Sequence, residues 1–251
     1  MKRFENYVLG QWTPGSDAEY VARHAVTGEE LGSVSSLGLD YAEVLDYGRR
    51  EGGSALRAMT FPQRGLMLKA LAMHLQERKE EYYAVSYATG ATRVDSWIDI
   101  EGGNATLFAY AGIGSRELPS GNLLHEGPAI PLGKQGIFAG SHILVPRAGL
   151  AVHINAFNFP IWGMLEKFAP TFLAGMPCIV KPATSTSYLT EAVVRLMDAS
   201  GLLPVGSLQL VVGSTGDLLD RLQGQDVVTF TGSADTAAKL RVNPNLISNS
   251  V

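Results

Sequence analysis

The stretch GLAVHINAFNFPIW, residues 149–162, decides the fold of this chain. Its first half contains a short apolar run, Leu150–Ile154, which predicts a buried strand. The turn Asn155–Pro160 follows, and Ile161 then begins an apolar helix. A buried strand that leads within a few residues into a helix is typical of a parallel sheet whose faces are covered by helices.

The same alternation of strand and helix continues beyond this stretch. Further strands are predicted at residues 178–181, 208–212 and 227–230, and helices at 161–174, 188–200, 217–222 and 234–240. This order predicts an α/β fold with a doubly wound parallel sheet, in which ligands bind at the carboxyl ends of the strands. We therefore divide the chain at residue 148 and assign the βα units to residues 149–251.

The N-terminal part, residues 1–148, shows helical periodicity in its middle and turn residues at both ends. Residues 1–35 predict an extended arm of strands and turns. Four helices are predicted: residues 40–58 with Asp40 as N-cap, one capped by Thr60, one from Arg78 to Gly90, and residues 94–112. Residues 117–135 are irregular, and residues 137–145 predict a strand in a hairpin.

Composition excludes several classes of function. The formal net charge of −4 argues against nucleic acid, which binds basic surfaces. The most apolar stretch near the middle, residues 149–159, is too short to span a membrane. The five histidines have no spacing typical of metal ligands, so no metal is expected. The single cysteine forms no intramolecular disulfide and the N-terminus lacks an apolar signal segment, so we expect a cytoplasmic protein.

Polar or glycine-containing turns follow the four predicted strands: Asn155–Pro160, Lys181–Thr184, Gly213–Gly216 and Thr231–Ser233. In the first turn, the amide of Asn158 could stabilise an oxyanion, or it could be present because asparagine tolerates a tight turn. In the second, Lys181 could bind a ribose hydroxyl or a phosphate, or it could lie at the rim of the sheet with its ammonium group in water.

The third and fourth turns each lead into a helix. Backbone N–H groups at a helix N-terminus attract phosphate, and Gly213 and Gly232 would let a ligand approach the backbone. The alternative is an ordinary turn in which a hydroxyl such as that of Ser233 caps the helix. Neither turn contains the GxGxxG or GxxxxGKS/T pattern. Cys178 lies in a strand predicted to be buried, so we expect an inert thiol.

Three motifs in order resemble one family. Asn-Phe-Pro at 158–160, Lys-Pro-Ala at 181–183 and Phe-Thr-Gly-Ser at 230–233 resemble the NAD(P)-dependent aldehyde dehydrogenases, and the segments 10–12 and 27–29 resemble that family's N-terminal arm. The resemblance implies a Rossmann-like parallel sheet that binds the dinucleotide in residues 149–251. It also implies N-terminal helices, an oligomerisation hairpin near residues 137–145, and a homo-oligomer as the intact protein.

A narrower resemblance is to the dehydrogenase half of the bifunctional phenylacetate-degradation proteins. It is carried by eight segments: 58–61, 95–97, 99–103, 114–119, 153–160, 162–167, 216–220 and 226–233. The resemblance implies oxidation of a small aldehyde, a CoA-linked semialdehyde, to an acid. The related dehydrogenases that act on dehydroadipyl-CoA semialdehyde from benzoate remain an open alternative.

The resemblance also assigns roles to individual residues. Asn158 would be the amide of the oxyanion hole, Lys181 would hold the adenosine ribose, and Ser233 would contact the pyrophosphate. The set placed at the cofactor is Asn155, Phe157, Lys181, Pro182, Ala183, Thr184, Gly213, Gly216, Phe230, Thr231, Gly232 and Ser233.

Thr184 departs from the pattern of many NAD-preferring family members, which have a glutamate there. A glutamate would chelate the ribose hydroxyls, whereas threonine removes that negative charge and leaves room for a 2′-phosphate. We therefore expect that NADP is at least accepted, with NAD also possible.

In the family, a cysteine thiolate attacks the aldehyde and a glutamate activates water, and both follow the Phe-Thr-Gly-Ser helix. Residues 248–251 resemble the strand leading to that glutamate, and Cys178 does not match the nucleophile position. We therefore expect that the chain by itself does not oxidise aldehydes, and that apolar surface left uncovered promotes association. The alternatives are a non-catalytic dinucleotide-binding module and an assembly subunit without catalysis.

Overall fold

The computed structural model describes residues 2–249. Its strands are β1 (Asn6–Val8), β2 (Gln11–Thr13), β3 (Tyr20–Arg23), β4 (Glu30–Val34), β5 (Leu124–His125), β6 (Ile130–Pro131), β7 (Ala139–Gly140), β8 (Ile143–Leu144), β9 (Ala151–Ile154), β10 (Cys178–Lys181), β11 (Leu208–Leu210) and β12 (Val227–Phe230). Its α-helices are α1 (Tyr41–Tyr47), α2 (Gly53–Ala58), α3 (Phe61–Glu77), α4 (Lys79–Ser86), α5 (Arg93–Arg116), α6 (Pro160–Leu173), α7 (Ser187–Ala199), α8 (Ala234–Arg241) and α9 (Pro244–Ser248).

The main sheet has the strand order β12-β9-β10-β11-β1-β2. The first four of these strands are parallel, which confirms the predicted α/β architecture. Strands β1 and β2 continue the sheet in antiparallel fashion, which the sequence did not predict. Long-range side-chain bonds hold them there: Asn6 accepts from the backbone N–H of Val212 at 3.0 Å, and Gln209 accepts from that of Leu9 at 3.0 Å.

The two faces of the sheet are covered unequally. In β10, Cys178 and Val180 pack with α3, α5, α6 and α7 in the larger core, whereas Ile179 between them packs with α1 and α9 in the smaller core. This alternation follows from the two-residue period of a strand. Because helices cover both faces of the sheet, a ligand can reach it mainly at its edges and at the ends of its strands.

Most of the predicted helix starts are confirmed. Asp40 accepts from the backbone N–H groups of Ala42 and Glu43, and Thr60 forms a capping box with Gln63. The first helix is divided by a wider turn at residues 48–52, and the fourth extends over Arg93–Arg116. Gly90 ends the third helical segment at a φ of 84°, a left-handed conformation that glycine adopts without strain.

Three predictions need correction. The strand predicted over 137–145 consists of β7 and β8, which pair with β6 and β5 in a segment predicted to be irregular. The helix predicted at 217–222 is a single tight helical turn, Leu218–Arg221. The strand predicted from residue 248 is wrong, because residues 244–248 form α9; Ser250 and Val251 lie outside the described residues.

The sequence signal for α9 is local. The side chain of Asn243 accepts from the backbone N–H groups of Asn245 and Leu246, and Pro244 occupies the first helical position. Asparagine at the N-cap followed by proline favours a helix start over a strand. The division of the chain at residue 148 remains a prediction.

Candidate functional site

The four turns predicted to carry the chemistry meet at one edge of the sheet. Parallel register places Lys181 and Phe230 on either side of Ile154, at the carboxyl ends of β10, β12 and β9. The turn after β11 lies beyond β10 at the same edge, because Val180 is paired with Leu210. Lys181–Thr184 therefore lies between Asn155–Pro160 and Gly213–Gly216, and Thr231–Ser233 lies on the far side of β9.

Lys181 is buried, with 7% of its surface exposed. Its ammonium group donates to the carbonyl of Pro182 at 2.6 Å. Burial lowers its pKa to about 8, and the carboxylate of Glu19 opposes this shift. The burial argues against a lysine that extends into water from the rim. One of its three donors is used by that carbonyl, so the group can bind a further acceptor.

Asn155 follows β9 and is also buried. Its backbone N–H donates to the carbonyl of Lys181 at 3.0 Å, which ties the first two turns together. Its side-chain amide makes no hydrogen bond with any residue in the described part of the chain. Because an unsatisfied buried amide is costly, this side chain fits a site that a polar ligand completes.

Asn158 lies in an exposed turn between Phe157 and Phe159. Phe159 has a φ of 52°, which is left-handed and strained for a non-glycine residue. The turn is held from one side by Thr186, whose hydroxyl donates to the carbonyl of Phe157 at 3.2 Å. Asn158 therefore lies on a constrained loop beside a cleft of about 320 Å³.

Asp99 holds this loop from the other side, and sequence reasoning missed that role. It lies on α5, and its carboxylate accepts from the backbone N–H of Ile161 at 3.0 Å and of Trp162 at 2.7 Å. Burial raises its pKa to about 6, although these two hydrogen bonds act in the opposite direction. Asp99 therefore caps the N-terminus of α6 from another helix, a role that no local sequence pattern indicates.

Three glycines of the predicted site are needed by the protein's own packing. A Cβ at Gly213 would lie 2.4 Å from the backbone nitrogen of Ser36, and one at Gly216 would lie 2.8 Å from the ring of Tyr41. A Cβ at Gly232 would lie 2.5 Å from the ring of Phe230. These glycines therefore do not by themselves indicate a ligand.

Ser233 caps α8, since its hydroxyl accepts from the backbone N–H of Thr236 at 3.3 Å. Residues 231–236 are all exposed, so the N-terminus of this helix faces solvent. Phe230 and Ala237 line a groove of about 370 Å³ beside it. The capping interpretation is thus confirmed, and the exposed N-terminus of α8 also leaves room for an anion.

Cys178 is buried, and burial raises the pKa of its thiol. A thiol in that position does not ionise readily, so it is not a nucleophile. Among residues 2–249, no cluster of three or more metal-ligating side chains is present. None of the described helices is long and apolar enough to cross a membrane.

Comparison with known proteins identifies the family of this chain. The family model described as "Aldehyde dehydrogenase family" matches residues 12–245. The chain belongs to the aldehyde dehydrogenase family. It is 44% identical over 250 residues to a 3,4-dehydroadipyl-CoA semialdehyde dehydrogenase of Aromatoleum evansii, covering 99% of this chain and 48% of that protein. It is 28% identical over 235 residues to the α-ketoglutaric semialdehyde dehydrogenase of Bacillus subtilis, covering 91% of this chain and 46% of that protein.

Solved structures show the same fold. Betaine aldehyde dehydrogenase from Staphylococcus aureus, in complex with NAD+, superimposes with a TM-score of 0.83 at 21% identity, covering 99% of this chain and 48% of that one. NADP-dependent glyceraldehyde-3-phosphate dehydrogenase from Bacillus halodurans, complexed with NADP, gives a TM-score of 0.79 at 21% identity, covering 96% and 50%. The chain spans about half the length of the curated relatives that it matches.

Proposed function

We propose that this chain forms the NAD(P)-binding portion of a dehydrogenase that oxidises a CoA-linked semialdehyde to an acid. The observation that carries the proposal is the pair of buried polar side chains, Lys181 and Asn155, at the strand ends of a chain in this family. Lys181 has donors to spare, and the amide of Asn155 has no partner among the described residues. Free ammonium donors and an unpaired buried amide both favour a ligand with hydroxyl and phosphate groups.

Different residues at this edge of the sheet bind different parts of the dinucleotide. Lys181 donates to an adenosine ribose hydroxyl, with Pro182 and Ala183 shaping the turn around it. Ser233, Gly232 and the exposed N-terminus of α8 bind the pyrophosphate, since helix N-termini favour anions. The other residues that would line the cofactor are Asn155, Phe157, Thr184, Gly213, Gly216, Phe230 and Thr231. When bound, the nicotinamide supplies the hydride acceptor.

Asn158 serves the aldehyde rather than the cofactor. Its side-chain N–H groups are the donors that would polarise the aldehyde carbonyl and stabilise the oxyanion formed from it. The constrained turn that carries it favours a fixed donor position. Cys178 is excluded as the nucleophile by its burial, so no residue described above is assigned that role.

The cofactor is NADP, with NAD also accepted. Thr184 opens the short helical turn after β10, and its side chain is uncharged. Because no carboxylate occupies this position, a 2′-phosphate meets no like charge there. We expect NADP to bind within tenfold of NAD.

The relative from Aromatoleum evansii supports a CoA-linked semialdehyde from the breakdown of an aromatic acid. It favours the dehydroadipyl-CoA semialdehyde of the benzoate route. The phenylacetate route rests only on the motif resemblance, for example that of residues 226–233.

Self-association is part of the proposal. The segment containing β5 to β8 carries large exposed apolar side chains, including Ile130, Ile137 and Phe138, of which Ile137 is 85% exposed. Such a patch on a soluble domain favours contact with another chain. A homo-oligomer formed through this segment is the simplest arrangement.

Calorimetric titration tests the cofactor assignment directly. Replacing Lys181 with Met keeps a long apolar side chain and removes the donor, so the affinity for both NADP and NAD should fall at least about tenfold. Lys69→Met removes the same charge at an exposed position on α3 and serves as the control. If the unsubstituted chain binds neither dinucleotide, the proposal fails and an assembly role becomes the leading alternative. Binding without oxidation of any aldehyde is expected of this chain by itself and is equally expected of a non-catalytic module.

A further inference from the structure

Glu19 brings a carboxylate from the N-terminal arm to the sheet edge. Its backbone N–H donates to the carbonyl of Val34 at 3.1 Å, which fixes its position just before β3. Its carboxylate accepts from the backbone N–H of Ser36 at 2.5 Å and from the Ser36 hydroxyl at 3.1 Å. It also accepts a long hydrogen bond, 3.5 Å, from the backbone N–H of Ser214, which belongs to the turn after β11.

This carboxylate lies against the turn after β11, the strand next to the one that leads to Thr184. A Cβ at Gly213 would lie 2.5 Å from the Glu19 carboxylate. Strand β11 is the parallel neighbour of β10, with Val180 paired with Leu210, so the turns that follow these two strands leave the sheet side by side. Glu19 therefore lies at the same edge of the sheet as Lys181 and Thr184, against the neighbouring turn.

Glu19 is held in its charged form. Its burial acts to raise the pKa, but hydrogen bonds from Ser36 and Ser214 outweigh burial and lower it below its ordinary value. Its charge in turn acts on Lys181, where it partly opposes the effect of burial on that lysine. A fixed negative charge therefore lies within electrostatic range of the ammonium group that we assign to the ribose.

We propose that Glu19 is a specificity-determining residue that weakens NADP relative to NAD at this edge. The inference rests on the proposed dinucleotide site and adds a residue to it. A ribose hydroxyl of NAD is neutral and can donate to a carboxylate, whereas the 2′-phosphate of NADP carries like charge and is repelled. Thr184 admits the phosphate, and Glu19, from a distant part of the sequence, limits how tightly it binds.

The test is to remove the charge and keep the shape. Glu19→Gln retains an oxygen that can accept from the Ser36 N–H, and Glu19→Ser removes the charge by a second route. Titration with NADP and NAD at low ionic strength should show NADP binding roughly fivefold to tenfold tighter in both variants. NAD should bind unchanged or more weakly. Asp17→Asn, at an exposed position on the same arm, is the charge-matched control and should leave the ratio of affinities unaltered.

The outcomes separate this inference from the proposed function. If the unsubstituted chain binds both dinucleotides and neither variant changes the NADP-to-NAD ratio by more than twofold, Glu19 has no such role and the dinucleotide site stands. If Asp17→Asn changes the NADP-to-NAD ratio of affinities by the same factor, the effect comes from the overall charge of the arm, and the inference is overturned. If the unsubstituted chain binds neither dinucleotide, both proposals fail together.

Discussion

Two helices begin at the same edge of the sheet, α6 after β9 and α8 after β12. The backbone donors at their N-termini have different partners. At α6 the first free backbone N–H groups donate to Asp99, a residue of another helix, and the side chain of Ile161 is buried. At α8 the N-cap is the helix's own Ser233, and residues 231–236 are exposed. The protein therefore uses one N-terminus for its own structure and leaves the other open to solvent.

This difference shows where an anion can bind. A helix N-terminus favours negative charge, and at α6 the Asp99 carboxylate already supplies it. At the N-terminus of α6, a phosphate would find these backbone donors already occupied and would be repelled by the Asp99 carboxylate. At α8 the capping group is a neutral hydroxyl that accepts only from the N–H of Thr236, and the one acidic side chain of the first turn, Asp235, is exposed to solvent. The same strand-to-helix pattern has therefore produced a structural junction at α6 and a candidate binding junction at α8.

Among the substitutions that test this comparison, Asp99→Ala is expected to have the largest effect on stability. The change leaves one buried and one partly buried N–H group without a partner and should lower the free energy of unfolding by about 3 kcal/mol at pH 7. Ser233→Ala removes only an exposed cap and should cost about 1 kcal/mol. Urea denaturation followed by circular dichroism measures both. Equal losses would show that the two junctions do not differ in the way described.

A smaller effect is expected from pH. Burial raises the pKa of Asp99 to about 6, above the ordinary value of 3.8, so the folded state holds this proton more tightly than the unfolded state does. The contribution of Asp99 to stability is therefore greatest below pH 4 and decreases as pH rises from about 4 to 6, on the order of 2 kcal/mol in total.

Asp99→Asn isolates this contribution, because the amide does not titrate. The difference in unfolding free energy between the unsubstituted protein and the variant should decrease over that pH range and be constant above it. A difference that increases with pH would mean that the Asp99 carboxylate is stabilised by its two hydrogen bonds more than it is penalised by burial.

Features that depend on neighbouring residues were predictable from the sequence. The parallel strands were identified because each is a short buried apolar run between helices. The Thr60 cap was identified because it and its partner Gln63 lie within four residues. The turns after β9 to β12 were recognised for the same reason. Their common location follows from the parallel topology.

The rest depends on contacts between distant residues that no local pattern indicates. Asp99 caps a helix 62 residues further along the chain, and the Glu19 carboxylate reaches Ser214, 195 residues away. Strand β1 pairs with β11 through the single register pair Tyr7 and Leu210. The segment 124–144 forms strands of only two residues, too short for a two-residue alternation to be recognised.

Hydrogen–deuterium exchange with and without saturating NADP tests the central claim most directly. Without ligand, the amides of Ile161 and Trp162 should already be protected by Asp99, whereas those of residues 232–235 should exchange quickly. NADP should slow exchange at residues 231–236 and at 181–184 and leave the start of α6 unchanged. Saturation with NADP that protects only the start of α6 or the segment 124–145, and neither of those turns, would contradict the account.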